Sequence, residues 1–277
     1  MRKEPLRFTA ADVHTPLYFD FVKIKLRSAA EYHGAFWSHN LAKFLGWAAE
    51  LIIVYLMIHR FQDVFTWSAY EVLLLYAVDA TAYALSGFFM FGAFINLQRH
   101  IQDGTFDLVL VKPLNPFAYF CCNNMLFGYI GNLVATVLTM VFCFIQLNIV
   151  ASFTNIMFLL AVLAGGALIH CGIFMISSIP SFWLIQSREV TSFFHTVKSF
   201  VRYPISIYDR WIHVLLTFIF PVAFINFFPV QFFLQKNDLL GFSPVLVYLT
   251  PAIGAGFFIL GYAFFFLGIR NYKSTGS

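Results

Sequence analysis

The sequence predicts an all-α polytopic membrane protein with six transmembrane helices, an N-terminal interfacial helix, and cytoplasmic N- and C-termini. Of the 277 residues, 60% are hydrophobic and only 11% are charged, whereas soluble domains carry about a quarter charged residues. The apolar runs are long and unbroken, without the alternation that a β-barrel strand shows. Because a lipid-exposed backbone must satisfy its own hydrogen bonds, such runs are typical of membrane-spanning helices.

Six apolar runs are long enough to cross the hydrocarbon layer of a membrane, which takes about 20 helical residues. They are residues 41–61, 72–95, 119–150, 156–185, 214–234 and 245–269. The sequence therefore predicts a single transmembrane domain over residues 41–277, with a kink or an early break in the fifth span, which contains Pro221. Residues 1–40 are predicted to be a cytoplasmic segment. In residues 14–40 of this segment, aromatic and basic side chains mix as in an amphipathic helix at the membrane surface.

The basic residues set the predicted orientation. With a cytoplasmic N-terminus, 15 of the 17 Lys and Arg residues fall on the cytoplasmic side, and only Arg60 and Lys236 fall outside. Membrane proteins show this bias because Lys and Arg stay on the cytoplasmic side. The segments that follow the second and fourth spans are therefore predicted to be cytoplasmic.

A polar island, Leu97 to Phe117, separates the second and third predicted spans. Its charged and titratable residues are Arg99, His100, Asp103, Asp107 and Lys112. Gly104 and the turn residues Pro113, Asn115 and Pro116 are typical points at which a helix ends. We expect this island to receive force from a partner in the cytoplasm.

Two acidic residues and a histidine fall inside predicted spans. Glu50 and Asp79 lie at similar depth, so that on antiparallel neighbours they could face each other. A carboxylate there costs about 2.5 kcal/mol or more, so each should face protein or water. One interpretation places Glu50, Asp79 and His170 in a translocation path or proton site. The other is a carboxyl group that locks two helices, with Tyr76, Thr81 or Tyr83 as its partner. Since His170 has only apolar neighbours in sequence, we interpret it as a core residue rather than a metal ligand.

The sequence lacks the common catalytic, metal-binding and nucleotide-binding motifs. It contains no HExxH, GxSxG or GxGxxG motif and no GxxxxGK[ST] phosphate-binding loop, so neither a metal, a cofactor nor a catalytic site is predicted in this chain. If ATP is involved, another subunit is expected to bind it.

Two stretches resemble a known family. HIQDGTFDLVLVKPLNPFAYF (His100 to Phe120) and FVRYPISIYDRWIHVLLTFIFPVAFINFFPVQFFL (Phe200 to Leu234) are similar to the permease subunits of bacterial ABC-2 type exporters. The resemblance implies a multi-pass protein of the bacterial cytoplasmic (inner) membrane. Such a protein is not an enzyme by itself and does not bind nucleic acid. It lies in membrane lipid, pairs with a second permease as a homodimer or as a heterodimer with a sister permease, and works with two copies of an ABC ATPase subunit that binds ATP and Mg.

The resemblance also implies roles for particular residues. A coupling helix that docks on the ATPase would lie at Gln98 to Asp107, and the turn from Lys112 to Pro116 would lead back into the membrane. The residues implied in ATPase coupling are Gln98, Arg99, Asp103, Gly104, Asp107, Lys112 and Pro113. A second cytoplasmic basic motif would comprise Arg202, Tyr203, Pro204 and Arg210. A short re-entrant segment would match Pro229 to Phe242.

The function expected from the resemblance is that of a permease subunit in an ATP-driven exporter. It would form the translocation path for an amphiphilic or hydrophobic substrate, such as a drug, a peptide or a lipid-like molecule. Two alternatives stay open at this point. One is an intramembrane enzyme that uses Glu50, Asp79 or His170, and the other is a membrane anchor or sensor subunit that does not transport.

Overall fold

Helices make up most of the part of the chain that the structure describes. This structure is a computed structural model, and it describes residues 22–24, 27, 31, 33–61, 67–184, 190, 192–193, 196, 200, 204–236 and 240–273. The α-helices are α1 (His33–Phe61), α2 (Ala69–Ser86), α3 (Gly92–Ile95), α4 (Leu97–Gln102), α5 (Asp107–Leu110), α6 (Pro116–Asn123), α7 (Tyr129–Gln146), α8 (Phe153–Ser178), α9 (Arg210–Val214), α10 (Phe227–Leu234) and α11 (Thr250–Asn271). Shorter turns of π- or 3-10 helix are Gly87–Phe91, Ile179–Phe182, Ile205–Ile207, Leu215–Ile219, Pro221–Phe224 and Pro244–Tyr248.

Several of these helices are suited to cross a membrane, which confirms a polytopic membrane protein. In the described residues, four stretches have the necessary length and apolarity: Ala69–Gln102, Tyr129–Gln146, Phe153–Phe182 and Thr250–Asn271. A fifth span results if the bent pair Arg210–Ile219 and Pro221–Leu234 is counted as one. The predicted first span falls in α1, and the count of six stays a prediction.

The third predicted span, residues 119–150, is divided in the structure. Its first part belongs to α6, which ends at Asn123, and the chain then leaves helical geometry before α7 begins at Tyr129. Asn124 closes α6 with φ −113° and ψ 21°. The predicted span was drawn through Asn123 and Asn124 because the residues on both sides are apolar, and the structure shows that the helix ends at this asparagine pair.

The kink predicted in the fifth span is present at Pro221. Phe220 adopts an extended conformation, with φ −111° and ψ 92°, and the two arms of the fifth span meet at 74°. Proline lacks the N–H that would continue the helix and disfavours helical geometry at the residue before it. The bend lies in the core, since residues 221 to 231 are all buried.

Packing centres on α2 and α8. Helix α2 packs against α7 and α8, and α8 packs along α11. The last contact is close because it uses glycine: a Cβ atom added to Gly165 would lie only 2.7 Å from the carbonyl oxygen of Thr250. Small residues permit such approach between membrane helices. The small residues of α8 therefore serve helix packing at this contact.

Helix α1 is fastened to α7 by a single asparagine. The Asn40 side chain is buried, and its Oδ1 accepts a hydrogen bond from the Gly131 backbone N–H at 3.0 Å. This N–H lies in the first turn of α7, where an amide has no partner within its own helix. The α7 cap residue, Gly128, provides no side chain for it, so Asn40 acts as an N-cap supplied by another helix.

We expect Asn40→Ala to lower the free energy of unfolding by about 1 kcal/mol, the usual cost of losing a cap. The reason is that the Gly131 N–H would remain in a partly buried contact with α1 without its acceptor. Thermal unfolding in detergent, followed by circular dichroism, would measure the change. Asn123→Ala is the control, since Asn123 is exposed at the end of α6. Equal melting temperatures for the two variants would contradict the assigned role of Asn40.

The opposite end of the bundle, predicted to face outward, carries a lysine clamp. Lys236 Nζ lies 2.6 Å from Glu71 Oε2 and 4.6 Å from the centre of the Trp67 ring. The same Glu71 oxygen accepts a hydrogen bond from the Ser68 N–H at 2.7 Å. Because Lys236 follows α10 and Glu71 begins α2, the clamp connects the end of the bent fifth span to the start of the second.

Candidate functional site

The predicted coupling residues form a helix–turn–helix unit, which we call the docking segment (residues 98–113). Helix α4 ends at Gln102, and the chain reverses before α5 begins at Asp107. Gly104 makes this reversal with φ +69°. A side chain in left-handed geometry costs roughly 1–2 kcal/mol, so glycine suits this position.

Hydrogen bonds brace the turn of the docking segment. The Phe106 N–H donates to the His100 carbonyl oxygen at 2.9 Å, and His100 Nδ1 lies 2.8 Å from Thr105 Oγ1. An ion pair between Arg99 and Asp103 spans 3.4 Å on the surface. Exposed pairs contribute only about 0.2–1 kcal/mol, so the backbone and the His100 contacts hold the turn.

The segment around α5 has two different faces. Phe106 and Val109 point inward and are 0% and 7% exposed. Leu108 and Val111, also three residues apart, are 66% and 82% exposed. Residues at this spacing share one face of a helix. An apolar surface therefore lies among the charged residues of the island.

Sequence reasoning missed Leu108 and Val111 as candidate contact residues. It selected the polar members of the island, because a run of apolar residues such as Val109 to Val111 resembles the start of a span. One signal in the sequence was the spacing of three residues between Phe106 and Val109, which places both on one face of a helix. Leu108 and Val111 then lie on a different face.

The turn that leads back to the membrane is fixed to α6. Asn115 caps this helix, since its Oδ1 accepts hydrogen bonds from the N–H groups of Phe117 at 3.0 Å and Ala118 at 3.2 Å. Lys112 folds back so that its ammonium donates to the Tyr119 hydroxyl at 2.5 Å and lies 4.2 Å from the ring centre. Lys112 is thus held by its own protomer in the structure.

The intramembrane acid Asp79 contacts His170. The Asp79 Oδ1 and His170 Nε2 atoms are 3.0 Å apart, and the two side chains are 3% and 1% exposed. The Tyr83 ring packs edge-on against His170, with centroids 5.3 Å apart. The pair joins α2 to α8, as expected for a carboxyl that locks two helices, and it adds His170 to the partners that we considered.

The remaining predicted residues are distributed as follows. The side chain of Glu50 and the whole of Arg202 and Tyr203 lie outside the described residues. Pro204 is buried, and Arg210 is exposed at the start of α9. Within the described ranges, no group of three or more His, Cys, Asp or Glu side chains is arranged to hold a metal ion.

The helices and the docking segment together define a class: a multi-pass helical membrane protein that presents a braced turn between two of its spans. Comparison with known families identifies which one. The profile of a family described as "ABC-2 family transporter protein" matches residues 44–276. The chain belongs to this family and is an ABC-2 type permease. Comparison with curated proteins and with solved structures gave no match.

Membership of this family gives the chain a general role. It is a membrane permease of an ABC transporter, a component that in general is not an enzyme and works with a partner ATPase subunit. Both motifs on which the resemblance was based, His100 to Phe120 and Phe200 to Leu234, fall inside the matched range.

Proposed function

We propose that the chain is the membrane-spanning permease subunit of an ATP-driven exporter in the bacterial cytoplasmic (inner) membrane. It carries an amphiphilic or hydrophobic substrate, such as a drug, peptide or lipid-like molecule, outward. It pairs with a second permease, either a copy of itself or a sister chain. Two copies of an ABC ATPase bind ATP and Mg and drive the cycle.

The observation that carries this proposal is the two-faced docking segment. An ATPase that moves a permease needs a rigid contact, and the turn is braced by the bonds at His100. It also needs an apolar anchor, since the fully buried centre of a protein interface is more apolar than its polar rim. Leu108 and Val111 supply that anchor, and Arg99, Asp103 and Asp107 supply charges around it.

The substrate class is supported by the apolar character of the helices. A cavity of about 240 Å³ opens between α7 and α8, and its lining is apolar apart from the amide of Asn155; the lining residues are Met140, Val141, Phe144, Ile145, Ile149, Ala151, Asn155, Ile156 and Leu159. Cavities of this composition bind through apolar contact, with a few polar groups that orient the ligand. A substrate with a large apolar part suits such a surface.

Asp79 and His170 are assigned a supporting role in this proposal. They bind each other and are buried within one protomer, so the geometry favours a lock between α2 and α8 over a lining of the translocation path. Glu50 remains the candidate for the path among the three residues, in the first predicted span.

The proposal is tested by placing a charge in the apolar part of the docking segment. We expect Val111→Asp to weaken binding of the ATPase subunit at least about tenfold, because an aspartate would be desolvated in the contact. Binding would be measured with the permease in nanodiscs and the ATPase encoded beside it. ATP-dependent uptake of a lipophilic dye into inside-out vesicles would fall in parallel.

Val150→Asp is the matched control. Val150 is also strongly exposed, at 72%, but it lies in the hairpin between α7 and α8 at the other end of the bundle. It should leave ATPase binding unchanged. Full binding and full dye uptake by Val111→Asp would rule out this docking surface, and a wild-type chain that binds no ATPase would rule out the proposed function itself.

A further inference from the structure

Phe106 connects the docking segment to three other elements. It is fully buried. Its ring centroid lies 5.5 Å from that of Phe120 in α6, 5.4 Å from Phe182 at the end of α8, and 5.4 Å from Tyr272 just after α11. All three contacts are edge-to-face, an arrangement that aromatic rings prefer. One side chain thus contacts α6, the 3-10 turn that follows α8, and the residue that follows α11.

We propose that Phe106 is the positioning residue that passes movement of the docking segment to α8 and α11. The inference rests on the proposed function, since it assumes that the ATPase moves this segment. It adds the route by which the movement enters the membrane, which runs through side-chain contacts. The other possible route follows the main chain through the turn at Lys112 to Pro116, and we call it the covalent path.

The covalent path is poorly suited to transmit movement into α7. The turn is fixed to α6, but α6 ends at Asn123 and the following residues are not helical until Tyr129. The start of α7 is instead held by Asn40 of α1. A displacement of α6 can therefore be absorbed at the break between Asn123 and Tyr129.

The path through Phe106 reaches long continuous helices. Helix α8 runs for 26 residues and α11 for 22 residues. Their close contact at Gly165 and Thr250 lets them move as one body, because there is little space for one to slide past the other. Packed elements with two discrete arrangements are the physical means by which coupling travels between distant sites.

A second contact supports the same route. Tyr272 lies beside Asp107, the first residue of α5. Burial, and then the Asp107 side chain, raise the pKa of Tyr272 to about 12. An ordinary tyrosine is already neutral at physiological pH, so this shift marks the burial of the phenol and its nearness to Asp107 and not a change of charge. The docking segment thus meets the end of α11 through the ring contact of Phe106 with Tyr272, and Asp107 lies in the same region.

The test follows the movement itself. Genetically encoded spin labels at Ile130 and Leu267, exposed positions near the same end of α7 and α11, report the distance between these helices in the complex with the ATPase. In the wild type we expect ATP binding to shift this distance by at least about 2 Å, the scale of helix movements in switching proteins. Phe106→Leu should abolish the shift while ATPase binding and ATP hydrolysis persist, since leucine keeps the site apolar but loses the ring edges.

Phe117→Leu is the matched control for the covalent path. Phe117 also packs on the Phe265 ring of α11, at 5.5 Å, but it belongs to α6 and lies beyond the return turn. It should retain the shift. The inference is overturned if Phe106→Leu retains the shift, or if Phe117→Leu abolishes it as well. A wild-type complex that does not form would instead overturn the proposed function.

Discussion

His170→Leu is expected to destabilise the protein by about 3 kcal/mol, because removing one member of a buried pair takes a close partner from the other, which stays buried. Asp79 would remain only 3% exposed, in a helix with the length and apolarity of a membrane span. The free energy of unfolding could be measured by steric trapping in bicelles. Leucine has a suitable volume for the site, so the effect would come from the lost polar contact rather than from a cavity.

The double variant Asp79→Leu, His170→Leu distinguishes this explanation from simple loss of packing. Replacing both partners of a buried pair with apolar residues is often neutral or stabilising, so the double variant should recover most of the loss. His213→Leu is the single-site control, since His213 is also buried and its Nε2 has no hydrogen-bond partner among the described residues. A loss of only about 0.6 kcal/mol in His170→Leu would contradict the prediction. This is the average contribution of an interhelical hydrogen bond in a membrane, so it would show that the pair is no stronger than an ordinary hydrogen bond.

Two glycines in α11 are expected to respond to alanine with opposite signs. A Cβ atom at Gly254 would collide with the backbone of Gly165 in α8, whereas one at Gly256 would meet nothing within 4 Å. We expect Gly254→Ala to cost about 1–3 kcal/mol, since overpacking forces the backbone to shift. Gly256→Ala should gain up to about 1 kcal/mol from helix propensity.

Thermal unfolding of both variants in detergent would measure this difference. Because the two glycines lie on one helix and receive the same methyl group, each serves as the control for the other. A melting temperature for Gly254→Ala at or above that of Gly256→Ala would contradict the close approach of α8 and α11. We also expect Gly254→Ala to loosen the packing between α8 and α11, the two helices to which Phe106 is proposed to pass movement.

The polar island shows how far sequence reasoning reached at the candidate site. Its position between two spans, the break at Gly104 and the turn before α6 were all predicted, because glycine, proline and asparagine favour turns through local backbone preferences. The inward side of Phe106 and the outward sides of Leu108 and Val111 were not predicted. Helix α5 is only four residues long, too short for a hydrophobic period to be read from sequence.

The sequence also did not reveal that Asp79 contacts His170. His170 is 91 residues away, and both helices are apolar around their whole circumference, so no stripe indicates which side of either helix faces the other. The cap that Asn40 gives to Gly131 bridges the same separation. In both cases a polar atom found its partner only after the helices had packed.

The sequence by itself determined the membrane class, the helical fold, the place of the polar island and the family to which the chain belongs. These follow from hydropathy, charge and local motifs, which act over one or two helical turns. Only the tertiary structure decided the lock between Asp79 and His170 and the aromatic contacts of Phe106. The rotation of each apolar helix about its axis fixes these contacts, and that rotation is set by the packing of whole helices against one another.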